Sequence, residues 1–159
     1  MNQAEHYVKT VRRLMQEAGM RLQREDQTLQ QGRIWNEFVR RAKPYDTVDW
    51  KASLELARRY KSYPRCCFWN ALQIARRRPK LYRYCEGFAV SIIPTEHAWL
   101  VDDAGTVYDP TWALMSHHKD SPPRDYYGIT IPVAEVTRSR KQSDCQPAWL
   151  DLCLKGGAE

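Results

Sequence analysis

The strongest constraint on the fold is a change of hydrophobic period at Pro79. Before it, apolar residues recur at the three- and four-residue intervals that draw one stripe along a helix. Tyr7, Val8, Val11, Leu14, Met15 and Ala18 do so within Ala4 to Arg24, and Leu29, Ile34, Trp35, Phe38 and Val39 between Thr28 and Arg41. Lys43-Pro44 closes the second helix, because the residue before a proline is pushed out of the helical region. A third helix is expected from Asp49, a candidate N-cap, to about Tyr60. After a break at Tyr63-Pro64, Ala71, Leu72 and Ala75 mark a fourth, which Arg76 to Arg78 and Pro79 bring to an end.

Beyond Pro79 the chain turns aromatic and β-branched. "LYRYCEGFAVSII", "HAWLVDD", "GTVYD" and "YYGITIP" read as strands, with Asp102-Asp103-Ala104-Gly105 as the turn of a hairpin. The tail holds a polar "RSRKQSD" linker and a short apolar segment around Trp149, Leu150 and Leu152. Helices followed by a mainly antiparallel sheet define an α+β chain, and 159 residues suit a single domain with its own core.

Composition narrows the function classes. The N-terminus is polar from the start and no apolar run approaches the ~20 residues of a membrane helix, so a cytoplasmic protein is expected. Cys66, Cys67, Cys85, Cys145 and Cys153 show no framework spacing and are expected as free thiols. His117 and His118 accompany them, but without a C-x2-C or H-x3-H pair no zinc site is expected. The net charge of +6 and arginine runs such as Arg76-Arg77-Arg78 raise the question of nucleic acid. No nucleic-acid module accompanies them, and arginines near helix C-termini complement the helix dipole.

One constellation carries chemistry. A cysteine nucleophile needs a thiolate, a base and a group that orients the base. Cys66 and Cys67 both stand where the fourth helix begins, a position that lowers a thiol from ~8.5 toward ~3.5–7.5 in favourable cases. Lys61 and Arg65 add positive charge nearby. His97 opens the strand "HAWLV", and Asp109 ends the next strand, so the hairpin turn would bring the two together. Asp109 would then accept the second imidazole N–H, as the third member of a triad does.

"EGFAVSIIPTEHAWLVDDAGTVYDPTW" resembles the core of the transglutaminase-like cysteine hydrolases, a branch of the papain-like fold, over about residues 60 to 115. That family carries a cysteine on a helix, a later "HAW" and an aspartate on the next strand, often within "DPT". The resemblance implies a catalytic core at 61–115, N-terminal helices at 1–60, and sheet completion with a C-terminal segment at 116–159. It also implies a triad of Cys67, His97 and Asp109. "CFWNA" matches the C-x-x-N-A form of small stand-alone members, which puts the nucleophile at Cys67, with Asn70 and Ala71 on the same helix face and Cys66 turned about 100° away into packing. Arg65 departs from the family, which carries a small residue, often Gly, two positions before the cysteine. The backbone N–H of Cys67 is the expected first oxyanion donor, with Tyr60, Tyr63 or a side chain from the first fifty residues as the second. Asn70 and Glu86 are expected to face substrate, with Trp99 and Trp112 as core and cleft wall. The N-terminal helices would form another wall.

The activity expected is attack on an amide carbonyl, with a protein or peptide as substrate and no cofactor. Some transglutaminases are calcium-regulated, but no EF-hand loop appears here. The rivals are an idle papain-like domain that sequesters a partner, and a basic nucleic-acid binder.

Overall fold

The computed structural model describes residues 2–22, 26–115, 123–140 and 147–156. Helices α1 (Gln3–Leu22), α2 (Asp26–Arg41), α3 (Trp50–Arg59) and α4 (Cys67–Arg77) come first, with a short strand β1 (Lys43–Tyr45) between α2 and α3. Strands β2 (Arg83–Val90), β3 (Pro94–Val101), β4 (Val107–Tyr108) and β5 (Asp125–Thr130) follow, then α5 (Val133–Arg140) and α6 (Ala148–Gly156). The strands form one antiparallel sheet in the order β1-β5-β2-β3-β4. The architecture is α+β.

Local chemistry explains the boundaries. Asp49 caps α3 by accepting the Ala52 N–H at 2.9 Å. The β3–β4 hairpin turns at Gly105, whose φ of +84° is a left-handed conformation open to glycine. There Asp102 closes the loop by accepting the Thr106 N–H at 2.8 Å.

The sheet buries both faces, and strand alternation sorts the side chains. Tyr84, Phe88, Ala98, Leu100, Tyr127 and Ile129 face one side, under Val8 of α1, Phe38 of α2, Leu72 and Ile74 of α4 and Trp149 of α6. Cys85, Ala89, Trp99, Val101 and Tyr126 face the other, against Val48, Trp50, Trp112 and Met115. His97, two residues before Trp99, shares this second face. Of the N-terminal helices, α1 and α2 therefore cover the face opposite His97, while α3 lies on the His97 side, with Trp50 against that face and Ser53 at Asp109. Phe38 makes edge contacts with Phe88 and Tyr127, at 5.8 and 6.0 Å between ring centres, which is core packing.

Two further expectations change. Residues 138–140 of the expected linker belong to α5, while 141–144 lie outside the described residues. β1 arises where only a helix stop was expected: Lys43, Pro44 and Tyr45 pair with Gly128, Tyr127 and Tyr126 at the sheet edge, a position that tolerates proline. No helix among the described residues is long and apolar enough to cross a membrane.

Candidate active site

His97 is held on β3 opposite Gly87 of β2, which in turn pairs with Gly128 of β5. The bare backbone here makes room for rings. A Cβ on Gly128 would lie 2.6 Å from Trp99 Cη2, so the Trp99 indole rests directly on β5. The His97 imidazole is nearly parallel to Trp112, at 4.1 Å and 18°, and to Trp99, at 6.4 Å and 22°. Trp99 is core and Trp112 is the plate that covers the histidine.

Asp109 follows β4, at the open end of the hairpin beside His97, and is fully buried. Its Oδ2 lies 2.7 Å from His97 Nε2. A carboxylate only accepts, so Nε2 carries the proton and Nδ1 is left for the other side of the ring. The same Oδ2 accepts the Tyr126 hydroxyl at 3.0 Å, and Oδ1 accepts the backbone N–H groups of Thr111 at 3.1 Å and Trp112 at 2.9 Å. The Asp109 N–H donates to Ser53 Oγ at 2.9 Å, and that hydroxyl donates to the Asp49 carbonyl at 2.5 Å. A carboxylate gripped at four points can neither swing nor leave the histidine.

The third member comes from α4. Cys67 is its first residue, half-buried, and lies close enough to the His97 imidazole to raise its pKa. Burial opposes charge on His97 more than any other single influence. The Asp109 carboxylate, through its field and its hydrogen bond, and Cys67 on the other side overcome it and push the imidazole from 6.5 up to about 10. The protonated ring is thus favoured at neutral pH. Cys66, expected to pack, is the exposed N-cap residue.

The turn before α4 also answers for Arg65. Its φ is +63°, the left-handed region that glycine enters freely and other residues enter at a cost. Arg65 thus adopts, two residues before Cys67, the conformation for which a small residue is suited. Asn70 locks this turn. Its Oδ1 accepts the Tyr63 N–H at 3.0 Å, and its Nδ2 donates to the Tyr63 carbonyl at 2.7 Å and to Thr111 Oγ1 at 2.9 Å. Both amide protons are spent inside the protein, so Asn70 braces the turn against the Asp109 segment and does not face substrate. The Cys67 N–H is a first-turn amide without an intrahelical acceptor, as an oxyanion donor requires. The backbone N–H groups of Tyr60 and Tyr63 are taken by Leu56 and Asn70.

Glu86 corrects the sequence reading as well. It neighbours Gly87 but points to the opposite face from His97, fully buried, where it accepts the Tyr84 hydroxyl and the Trp149 N–H. Alternation along β2 decides this: one residue's shift reverses the face. Several arginines are tied to their own surface: Arg40 and Arg41 to Glu37, Arg76 to Thr137, and Arg78 to the Tyr60 hydroxyl. Among the described residues no group of three His, Cys, Asp or Glu side chains is placed to hold a metal; His117, His118 and Cys145 lie outside them.

Ser53 and Tyr126 were not anticipated. A serine in a helix and a tyrosine in a strand carry no motif, and only the tertiary fold brings them to Asp109. No family model, curated protein or solved structure matches this chain.

Proposed function

We propose that this chain is a cysteine-nucleophile hydrolase or acyltransferase of the transglutaminase-like, papain-like kind, acting on an amide of a protein or peptide. The observation that carries the reading is the run of contacts from the Cys67 thiol through His97 to Asp109, with Nε2 to Oδ2 at 2.7 Å.

The thiol proton rests on His97 Nδ1 and leaves a thiolate at Cys67. Sγ attacks the amide carbonyl, and the oxygen gathers negative charge beside the Cys67 N–H. The carbon–nitrogen bond breaks as Nδ1 returns the proton to the departing amine, leaving a thioester on Cys67. Water or a second amine then gives its proton to Nδ1 and attacks the thioester, which frees Sγ. Water makes the protein a peptidase or deamidase, and an amine makes it a transamidase. Asp109 keeps the ring oriented and balances its charge throughout.

The test is the pH dependence of iodoacetamide alkylation at each cysteine, read by peptide mass spectrometry in the wild type and in His97→Ala. Cys67 should label fast well below ~8.5, the ordinary thiol value, and at least about tenfold slower there in the variant. An ordinary thiol profile at Cys67 would remove the nucleophile and leave a binding role.

A further inference from the structure

The phenol of Tyr126 is buried beside a carboxylate that already serves His97, and nothing in the catalytic steps above requires it. Tyr126 lies on β5, paired with Ala89 of β2 on one side and Tyr45 of β1 on the other. Its ring is held edge-on to Trp99 at 5.1 Å and tilted against Trp112 at 6.0 Å, so it fills the floor beneath the two indoles that flank His97. Its hydroxyl reaches Asp109 Oδ2, the oxygen that also accepts His97 Nε2.

Sharing one oxygen has a physical consequence. Oδ1 is held by the Thr111 and Trp112 N–H groups, so the carboxylate cannot rotate to give each donor its own oxygen. Two donors on one oxygen compete for the same electron density, and each weakens the other's bond. We propose that Tyr126 is a positioning residue of this site: its hydroxyl draws on Asp109 Oδ2, limits how strongly the imidazolium is gripped, and so sets the upper pH edge of the thiolate–imidazolium pair. The inference rests on the reading of Cys67 as the nucleophile and adds the group that tunes its base.

Among the described residues, the titratable groups facing His97 are Asp109, after β4, and Cys67, on α4, with Tyr126 acting from β5 through Asp109. On the same sheet face, Cys85 of β2 and Tyr45 of β1 are near neighbours, and burial raises both. Burial and the Asp109 charge raise the Tyr126 phenol well above 10, so it is a neutral donor wherever the pair exists.

The experiment uses the full chain and two readouts: alkylation of Cys67 against pH, and titration of His97 by NMR of 15N-labelled histidine. Tyr126→Phe keeps the ring and removes the donor. The His97 titration should then move up by about half to one pH unit, with the upper edge of the alkylation profile following it. 3-Fluorotyrosine placed at 126 keeps the fold, is the stronger donor, and should move both edges down. It stands alone should Tyr126→Phe fail to fold. Opposite shifts from the two changes support the role. A His97 titration unmoved in both, or moved the same way by both, overturns it and leaves Tyr126 as packing. An ordinary thiol profile for Cys67 in the wild type overturns the nucleophile, and this role with it.

Discussion

Arg65 shows how a single backbone angle can matter to the placement of a thiol. At φ +63° an L side chain pays roughly 1–2 kcal/mol relative to the ordinary helical region, and Asn70 holds the turn through both polar groups of Tyr63. Arg65→Gly removes that cost but loosens the unfolded chain, and the two nearly cancel. Arg65→Val, β-branched at a positive φ, has no such offset. Urea denaturation should therefore find the glycine variant more stable than the valine variant by about 1–2 kcal/mol, with wild type between them or level with glycine. Equal midpoints for the two variants would mean that the turn does not hold this angle in solution. The departure from the family pattern was visible in the sequence; that Arg65 takes the glycine-like angle was not, because φ is set by Asn70 and the start of α4 rather than by Arg65.

At the scale of elements, Glu86 joins β2 to the C-terminal helix. It receives the Trp149 N–H at 3.0 Å, in the first turn of α6, and a carboxylate suits that end of a helix. Glu86→Leu would remove the buried acceptor of the Tyr84 hydroxyl and the Trp149 backbone N–H. A loss of about 2–4 kcal/mol in urea is expected, from the lost buried hydrogen bonds at roughly 1–3 kcal/mol each. Glu86→Gln keeps an acceptor and should lose about 1 kcal/mol. Near-equal losses for Leu and Gln would show that the α6 contact contributes little. Sequence reasoning succeeded where an element states its own period or turn: α1 to α4, and the β3–β4 hairpin that brings His97 to Asp109. It failed where the answer lay in a neighbour. β1 is three residues long and exists because β5 passes beside it. α5 hides in a polar run, and the facing of Glu86 depends on a strand register that no local pattern states.

For the whole molecule, the charge on His97 couples the site to stability. The folded chain raises this imidazole from 6.5 to about 10; on the proposed reading its proton is the one Cys67 gives up, so folding takes up a net proton only once the unfolded thiol ionises, near ~8.5. The imidazole's own stabilisation is complete below 6.5 and is lost as pH rises through about 10, and for the pair that loss falls above ~8.5. The urea midpoint of the wild type should fall more steeply from about pH 8.5 to about 10 than that of His97→Gln; parallel slopes there would show that the imidazole is not held charged. Comparing the two proteins isolates this effect, because Cys85 and Cys153, both raised by burial, titrate alike in each. The strand order has a consequence of its own. β5 is made last among the strands, yet it sits between β1 and β2 and carries Tyr126 to Asp109. On the ribosome, a nascent chain can present Cys67, His97 and even the β3–β4 hairpin while the middle of its sheet is still missing. The geometry around His97 closes only once translation has passed residue 130, so the site is born well after its thiol, its imidazole and its carboxylate have all been made.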